Sequence, residues 1–330
     1  MPKAVSHWVR ALLEEELLMV VMTDQYRLVT RSDFDGLVCA VLLKELDLIN
    51  EIKFVHPKDM QDGKIAITDK DITTNLPYIS GVHLAFDHHY SEILRNQNPE
   101  AGYINNPEAP SAARVVYDYF GGLEKFPHIS TEMMEAVDKG DSAQFNIDEV
   151  LHPKNWVLLN FLMDARTGLG RFKEFNISNY SLMMELIDYC KNHTIAEILE
   201  LPDVKERVDL YFEQASQFKD QLLRCATVYD NLVVLDLRNE DVIYAGNRFM
   251  IYALFPNCNI SIHQMWGVKQ QNTVFAVGKS IFNKTSKTNI GELMLQYGGG
   301  GHANAGTCQI DNAQAEVTLK ELITRINKDG

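Results

Sequence analysis

The chain has 330 residues, 46% of them apolar and 23% charged, with a formal net charge of −14. That length exceeds what one hydrophobic core usually spans and predicts two domains. The acidic balance argues against a general grip on long duplex nucleic acid, but it leaves room for a small anion in a locally positive or metal-loaded pocket. Five scattered cysteines (Cys39, Cys190, Cys225, Cys258, Cys308) include no C-x-x-C pair, which argues against structural zinc or a disulfide scaffold and fits a reducing compartment.

In chain order, the first apolar run is Leu17–Val21, behind three glutamates. It lacks the basic start and length of a signal peptide, and no stretch is long enough for a membrane span, so a cytoplasmic protein is expected. Tyr26–Thr30 reads as a strand, broken by Asp33–Gly36 and followed by a helix over Leu37–Leu46 that is apolar nearly all round. Lys64–Thr68 and Val82–Phe86 repeat the pattern of strand and then acid. Strands that end in acidic loops and alternate with helices predict a parallel α/β sheet, in which ligands gather beyond the C-terminal strand ends. Ser111 is placed to cap a helix reaching Phe120, and Thr131–Lys139 reads as a helix delivering Asp138 and Asp141. Helices are expected from about Lys154 to Tyr189, and one long polar helix from Leu201 to about Cys225. After that the period changes. Leu232–Asp236 and Val242–Tyr244 read as a hairpin, with further strands at Phe249–Leu254, Asn259–Gln264 and Thr273–Val277. Ile290–Tyr297 and Val317–Asn327 read as helices. The expected domains are 1–195, a helical linker 196–229, and a smaller mixed α/β domain 230–330.

Three clusters stand where buried strands end: Asp33-Phe34-Asp35-Gly36, Asp69 with Asp71, and Asp87-His88-His89. Such groups have no use in a core, but as oxygen and nitrogen ligands they suit one or two divalent ions such as Mn²⁺. Taken alone, D-x-D-G is more often a surface turn, Asp69 more often a cap, and Asp87 serves equally to orient a neighbouring histidine. His7, His56, His83, His128, His152 and His193 read as ordinary turn or edge residues. Gly298–Gly301 with His302 offers consecutive N–H groups of the kind that bind anions, and Arg248 and Lys279 open and close strands nearby. Metals at one end and an anion cradle at the other point to hydrolysis of a phosphate ester.

These motifs together resemble the DHH–DHHA1 phosphoesterases over nearly the whole chain. Asp33-Phe34-Asp35-Gly36 is similar to the first family motif, Asp69 to the second, Asp87-His88-His89 to the third, and Asp141-Ser142-Ala143-Gln144-Phe145 to the fourth. Gly298–His302 with Ala305-Gly306 resembles the DHHA1 signature. The resemblance implies an N-terminal parallel-sheet DHH domain with helices on both faces, plus a mixed DHHA1 domain. It further implies Mn²⁺ (one or two ions, with Mg²⁺ or Co²⁺ as alternatives) on Asp33, Asp35, Asp69, His88 and Asp141, with Asp138 competing for the last place. His89 would stand beside the phosphate. Gly299, Gly300, Gly301, His302, Arg248, Lys279 and Arg31 would contact the substrate.

Two departures stand out. Arg31 occupies a place where members usually carry a metal-ligating histidine, and Val277-Gly278-Lys279-Ser280 replaces a Ser-x-Arg-Ser strand. The implied activity is hydrolysis of small or short nucleotides of the nano-RNA, dinucleotide or phosphoadenosine phosphate type. The alternatives are an exopolyphosphatase-type phosphoanhydride hydrolase and a catalytically altered phosphate-ligand sensor. The expected partner is a small phosphorylated or short oligonucleotide substrate, with no long duplex and no membrane, and a homodimer is the base-rate assembly.

Overall fold

The computed structural model describes residues 25–96, 100–172 and 175–330; His7 and the run at Leu17–Val21 lie outside the described residues. The chain divides into two compact units. The first runs to Ser142 and resumes over Asn176–Asp203; the second comprises Ala143–Phe175 and Val204–Gly330.

The first unit is built on five parallel strands in the order β2-β1-β3-β4-β5. They are β1 (Tyr26–Arg31), β2 (Ile49–Val55), β3 (Asp71–Thr74), β4 (Leu84–Asp87) and β5 (Tyr103–Asn105). Helix α1 (Phe34–Glu45) follows β1 and is buried from Phe34 through Leu43, as its all-round apolar sequence predicts. Each of its large aliphatic side chains contributes about 1.5–3 kcal/mol by leaving water. The short helices α2 (Pro57–Gln61) and α3 (Tyr90–Arg95) follow β2 and β4. Helices α4 (Ala112–Tyr119), α5 (Thr131–Asp141) and, further along the chain, Asn179–Asn192 pack against α1. On the other face Val29, Val55, Met60 and Leu76 form a smaller cluster.

The second unit takes α6 (Ile147–Leu151) and α7 (Asn155–Met163), while the first reclaims α8 (Asn179–Asn192) and α9 (Ile195–Glu200). The 24-residue α10 (Pro202–Cys225) then leads into a six-stranded mixed sheet of order β10-β11-β9-β8-β7-β6. Its strands are β6 (Ala226–Tyr229), β7 (Leu232–Asp236), β8 (Ile260–Trp266), β9 (Thr273–Lys279), β10 (Gly300–His302) and β11 (Ala305–Ile310). One sheet face packs on α12 (Ile290–Leu295) and α13 (Ala315–Asp329) through Ile260, Ile262, Phe275, Met294 and Leu322. The other carries Val233, Leu235 and Leu222 with Phe145, Phe161 and Phe249. Among the described residues no helix is long and apolar enough to cross a membrane.

Three expected elements differ. Lys64–Thr68 is not a strand: Ile65 and Ile67 pack on the Val29 cluster from an irregular segment. The strand starts instead at Asp71, whose buried carboxylate takes the Arg27 guanidinium at 2.6 Å and the Thr68 N–H at 2.7 Å. Phe249–Leu254 is not a strand either; Met250–Leu254 forms helix α11, begun by the Asn247 side chain accepting the Phe249 N–H. Val242–Tyr244 does not pair with β7, which bonds β6 and β8. The Gln221 amide takes that segment instead, donating to the Val242 carbonyl (2.7 Å) and accepting from the Tyr244 N–H (3.1 Å).

Candidate functional site

In the first unit the chain order reverses between β1 and β3, the place where a parallel sheet opens a crevice beyond its carboxyl ends. Arg31 and Asp33 leave β1 there, Asn75 leaves β3, and Asp87-His88-His89 ends β4. Gly36 lets α1 start hard against β1: a Cβ on it would lie 2.0 Å from the Arg31 carbonyl oxygen. That close start carries Asp35 into the interior, where it is 2% exposed. Its Oδ1 accepts from Ala113 N (2.8 Å) and its Oδ2 from Ala112 N (3.0 Å), the first amides of α4. Helix N-termini favour such a charge.

Asp35, His88 and Asp141 are the one group among the described residues whose ligand atoms all lie within 4.8 Å of one another with the makings of a metal site. His88 Nδ1 donates to the Ala109 carbonyl at 3.2 Å. A carbonyl only accepts, so the hydrogen is fixed on Nδ1 and the Nε2 lone pair is presented to the cluster. Nε2 is buried, lies 2.8 Å from Asp141 Oδ2 and makes no regular hydrogen bond. Two ligands aimed at a common point have that arrangement. Burial, and then the Asp141 charge, push the Asp35 carboxyl up to about 8. Burial opposes protonation of His88, but Asp141 outweighs it and raises the imidazole to about 9. Asp141 is held below the usual carboxylate range, against its own burial, by His88. Two carboxylates and one imidazole thus compete for positive charge, and a divalent cation fits that donor set.

The other expected ligands go elsewhere. Asp33 caps α1 by accepting from Gly36 N (3.0 Å) and pairs with Arg31 Nε at 2.8 Å. Asp69 sits exposed in the turn ahead of β3, at the opposite end of the parallel strands from Asp35 and His88. Its misplacement follows from the strand being read six residues early. The residue that β3 delivers to the site is Asn75, 1% exposed, with its Oδ1 unpartnered and its Nδ2 3.4 Å from Asp33 Oδ1. Asp138 is consumed by Arg114 (2.5 Å) and Ser111 (2.7 Å), which leaves Asp141 as the member of that pair in the cluster. His89 is held by Asp87 through Nδ1 at 2.7 Å. Burial would lower its pKa, but Asp87 prevails and raises it.

The second unit holds a cavity of about 530 Å³ on the sheet face away from α12 and α13. Arg166, Arg171 and Arg248 border it. Arg248 stacks on the Phe249 ring at 3.9 Å and reaches Asp164 at 3.3 Å, and Arg166 holds the other Asp164 oxygen at 2.7 Å. Burial, then the charge of Arg166, lower Arg248 to about 10, which leaves it cationic at neutral pH. Ser261 and His263 face the cavity from alternate positions of β8, and burial pushes His263 down to about 4, so it is neutral. The rim is the β10–β11 hairpin at Gly300, Gly301, Gly306 and Thr307.

The glycine run is not one open cradle. The N–H groups of Gly298 and Gly299 close α12 on Leu295 O (3.1 Å) and Met294 O (2.9 Å), and a Cβ on Gly299 would strike Thr307 O at 2.1 Å. Gly300 differs: nothing lies within 4 Å of where its Cβ would be, and it borders the cavity. Lys279 turns away to the Ser286 carbonyl at 3.3 Å, and His302 lies exposed on β10 opposite Ala305. Arg166, Arg171, His263 and Asn75 were not singled out from the sequence. Asn75 could have been found from the β-branched run Ile72-Thr73-Thr74 ending in Asn-Leu-Pro.

Among solved structures, the chain is similar to the pGpG-specific phosphodiesterase PggH from Vibrio cholerae, with 64% identity, a TM-score of 0.84, and coverage of 93% of this chain and 100% of that one. The DHH domain of a protein described as belonging to a ribosomal-protein family matches at 11% identity and TM-score 0.56, covering 97% of this chain and 92% of that one. RecJ from Thermus thermophilus, solved with Mn²⁺, matches at 13% identity and TM-score 0.51, covering 95% of this chain and 54% of that one. The last two speak for the fold alone. No family model and no curated protein matches the chain.

Proposed function

This chain belongs to the DHH–DHHA1 phosphoesterases, and from that premise we propose that it hydrolyses the internal phosphodiester of a short linear dinucleotide of the pGpG type, releasing mononucleotides. The observation that carries the reading is the convergence of Asp35, His88 and Asp141 with the His88 tautomer fixed by Ala109. These three residues would hold a divalent cation, with Mn²⁺ suited to a mixed nitrogen and oxygen donor set. Such an ion supplies Lewis acidity and a nucleophile at neutral pH.

The chain's own groups do the rest. The first amides of α4 fix the Asp35 carboxylate, and the Ala109 carbonyl fixes His88. Asp87 holds His89 through Nδ1 and favours its protonated form against burial, which suits a donor toward the phosphate or the departing oxygen. In the second unit Arg248, Arg166 and Arg171 supply cationic contacts to phosphate, and the cavity walls supply the apolar surface for a base. Gly300 keeps the rim open, and Gly301 lets the hairpin strands close, since a Cβ there would lie 2.2 Å from the Ala305 carbonyl oxygen. Within this reading His302 and Lys279 remain contacts supported by sequence resemblance. The net charge of −14 favours a short substrate over a duplex, and a cytoplasmic, homodimeric enzyme remains the working expectation.

The test is turnover by the purified full chain with Mn²⁺, Mg²⁺ or Co²⁺. The panel is pGpG, the same dinucleotide without its 5′-phosphate, phosphoadenosine phosphate, short RNA and short-chain polyphosphate, with products resolved by chromatography. The dinucleotide with its 5′-phosphate should be hydrolysed fastest. Preference for polyphosphate would move the assignment to phosphoanhydride hydrolysis, and tight binding without product under every metal would move it to a sensor.

A further inference from the structure

Asp33 and Asp35 leave the same turn and meet different fates. Asp35 joins His88 and Asp141. Asp33 has both oxygens engaged: Oδ1 receives the Gly36 N–H at 3.0 Å and faces Asn75 Nδ2 at 3.4 Å, and Oδ2 meets Arg31 Nε at 2.8 Å. A cation approaching Oδ2 would meet a guanidinium head-on. Across from Asp33, at the end of β3, stands the neutral amide of Asn75. The β1–β3 side of the site therefore carries one positive, one negative and one neutral group, while the other side gathers two carboxylates and an imidazole, Asp35, Asp141 and His88, with ligand atoms within 4.8 Å of one another.

The Arg31 side chain is 32% exposed, and beyond Asp33 it has no other acceptor among the described residues. Its Nη groups are the planar donor fork that suits phosphate oxygens.

We infer that the centre takes one divalent cation, on Asp35, His88 and Asp141, and that Arg31, braced by Asp33, holds a non-bridging oxygen of the scissile phosphate in the place of a second ion. This rests on the phosphoesterase reading. In the reaction a water oxygen bonds to phosphorus, the bridging P–O bond breaks, and one proton passes to the departing alkoxide. Arg31 keeps its protons throughout and supplies only charge and direction.

The first measurement is Mn²⁺ bound per full-length chain, by equilibrium dialysis with elemental analysis and by electron paramagnetic resonance. The wild type should hold one ion with an uncoupled spectrum. The double substitution Arg31→His with Asn75→Asp should raise the count to two and introduce exchange coupling. Arg31→Gln should still bind one ion while kcat falls by about 10²-fold or more, and Arg31→Lys should recover part of that loss through charge without the fork. Two ions on the wild type, or an Arg31→Gln variant with unchanged kcat and KM, would overturn the inference. No bound ion together with no hydrolysis under any metal would overturn the phosphoesterase reading itself. The wild-type count needs no variant, so a misfolded Arg31 substitution leaves the test intact.

Discussion

The acid–histidine cluster of the first unit and the arginine-lined cavity of the second handle charge in opposite ways. In the cluster Asp35 and Asp141 share a largely buried site with His88, and burial drives Asp35 up to about 8. In the cavity the cations are cushioned: Asp164 serves both Arg166 and Arg248, and the Phe249 ring lies under Arg248. The first is frustrated until a cation arrives. The second keeps three guanidiniums against the one Asp164 carboxylate, so it retains positive charge suited to an anion. Substitutions in the cluster should therefore act on the chemical step, and substitutions in the cavity on affinity.

The largest expected effect comes from Asp141→Asn, which removes a ligand that the tight geometry cannot replace. Several kcal/mol of transition-state stabilisation corresponds to a kcat lower by about 10³-fold, with the circular dichroism spectrum unchanged; a loss confined to KM would break the contrast. Next is Arg248→Ala. A charge-assisted contact is worth about 1.5–3 kcal/mol, so KM for the dinucleotide should rise by about 10- to 100-fold with kcat within a few-fold, and a collapse of kcat would contradict it. Gly300→Val should raise KM several-fold with thermal stability within about 0.5 kcal/mol of wild type, because its Cβ would have no protein atom within 4 Å and the branch would narrow the rim. A large fall in melting temperature would show that Gly300 is there for packing.

The last expected effect is on stability rather than activity, a pH dependence. His263 has a folded-state pKa of about 4 against an ordinary value near 6.5. As the pH falls between these values the unfolded chain takes up a proton that the folded chain refuses. This contribution to stability is complete above about 6.5 and is lost progressively toward 4. Melting temperatures across that window should flatten in His263→Asn relative to wild type, and parallel curves would show that His263 is solvated.

Much of this was legible in the sequence because it rests on short-range rules. The all-round apolar Leu37–Leu43 had to be a buried helix, and Ser111 did cap α4, accepting from Arg114 N at 3.0 Å. That Asp35 and His88 stand at the same end of the parallel sheet followed from strand-end logic, whereas Asp141, at the end of α5, was expected beside them only from the family resemblance. What was not legible depended on partners distant in sequence. Asp71 rather than Asp69 is drawn inward because Arg27, 44 residues earlier, waits for it. The segment Val242–Tyr244 looks like a strand but is satisfied by a glutamine side chain from α10. The cavity arginines Arg166 and Arg171 stand between α7 and α8 with no motif around them, and only the fold returns residues 143–175 to the second unit.

The two amides that hold Asp35 have a consequence for mutational robustness. A ligand oriented by a neighbouring side chain can be disarmed by replacing that neighbour. Ala112 and Ala113 hold Asp35 through backbone N–H groups, which every residue except proline carries. The aim of this carboxylate is thus insulated from drift in side-chain identity at both positions. It is exposed to change chiefly through the path of the chain that begins α4, so insertions, deletions or proline there would reach the centre sooner than most point substitutions on the helix surface.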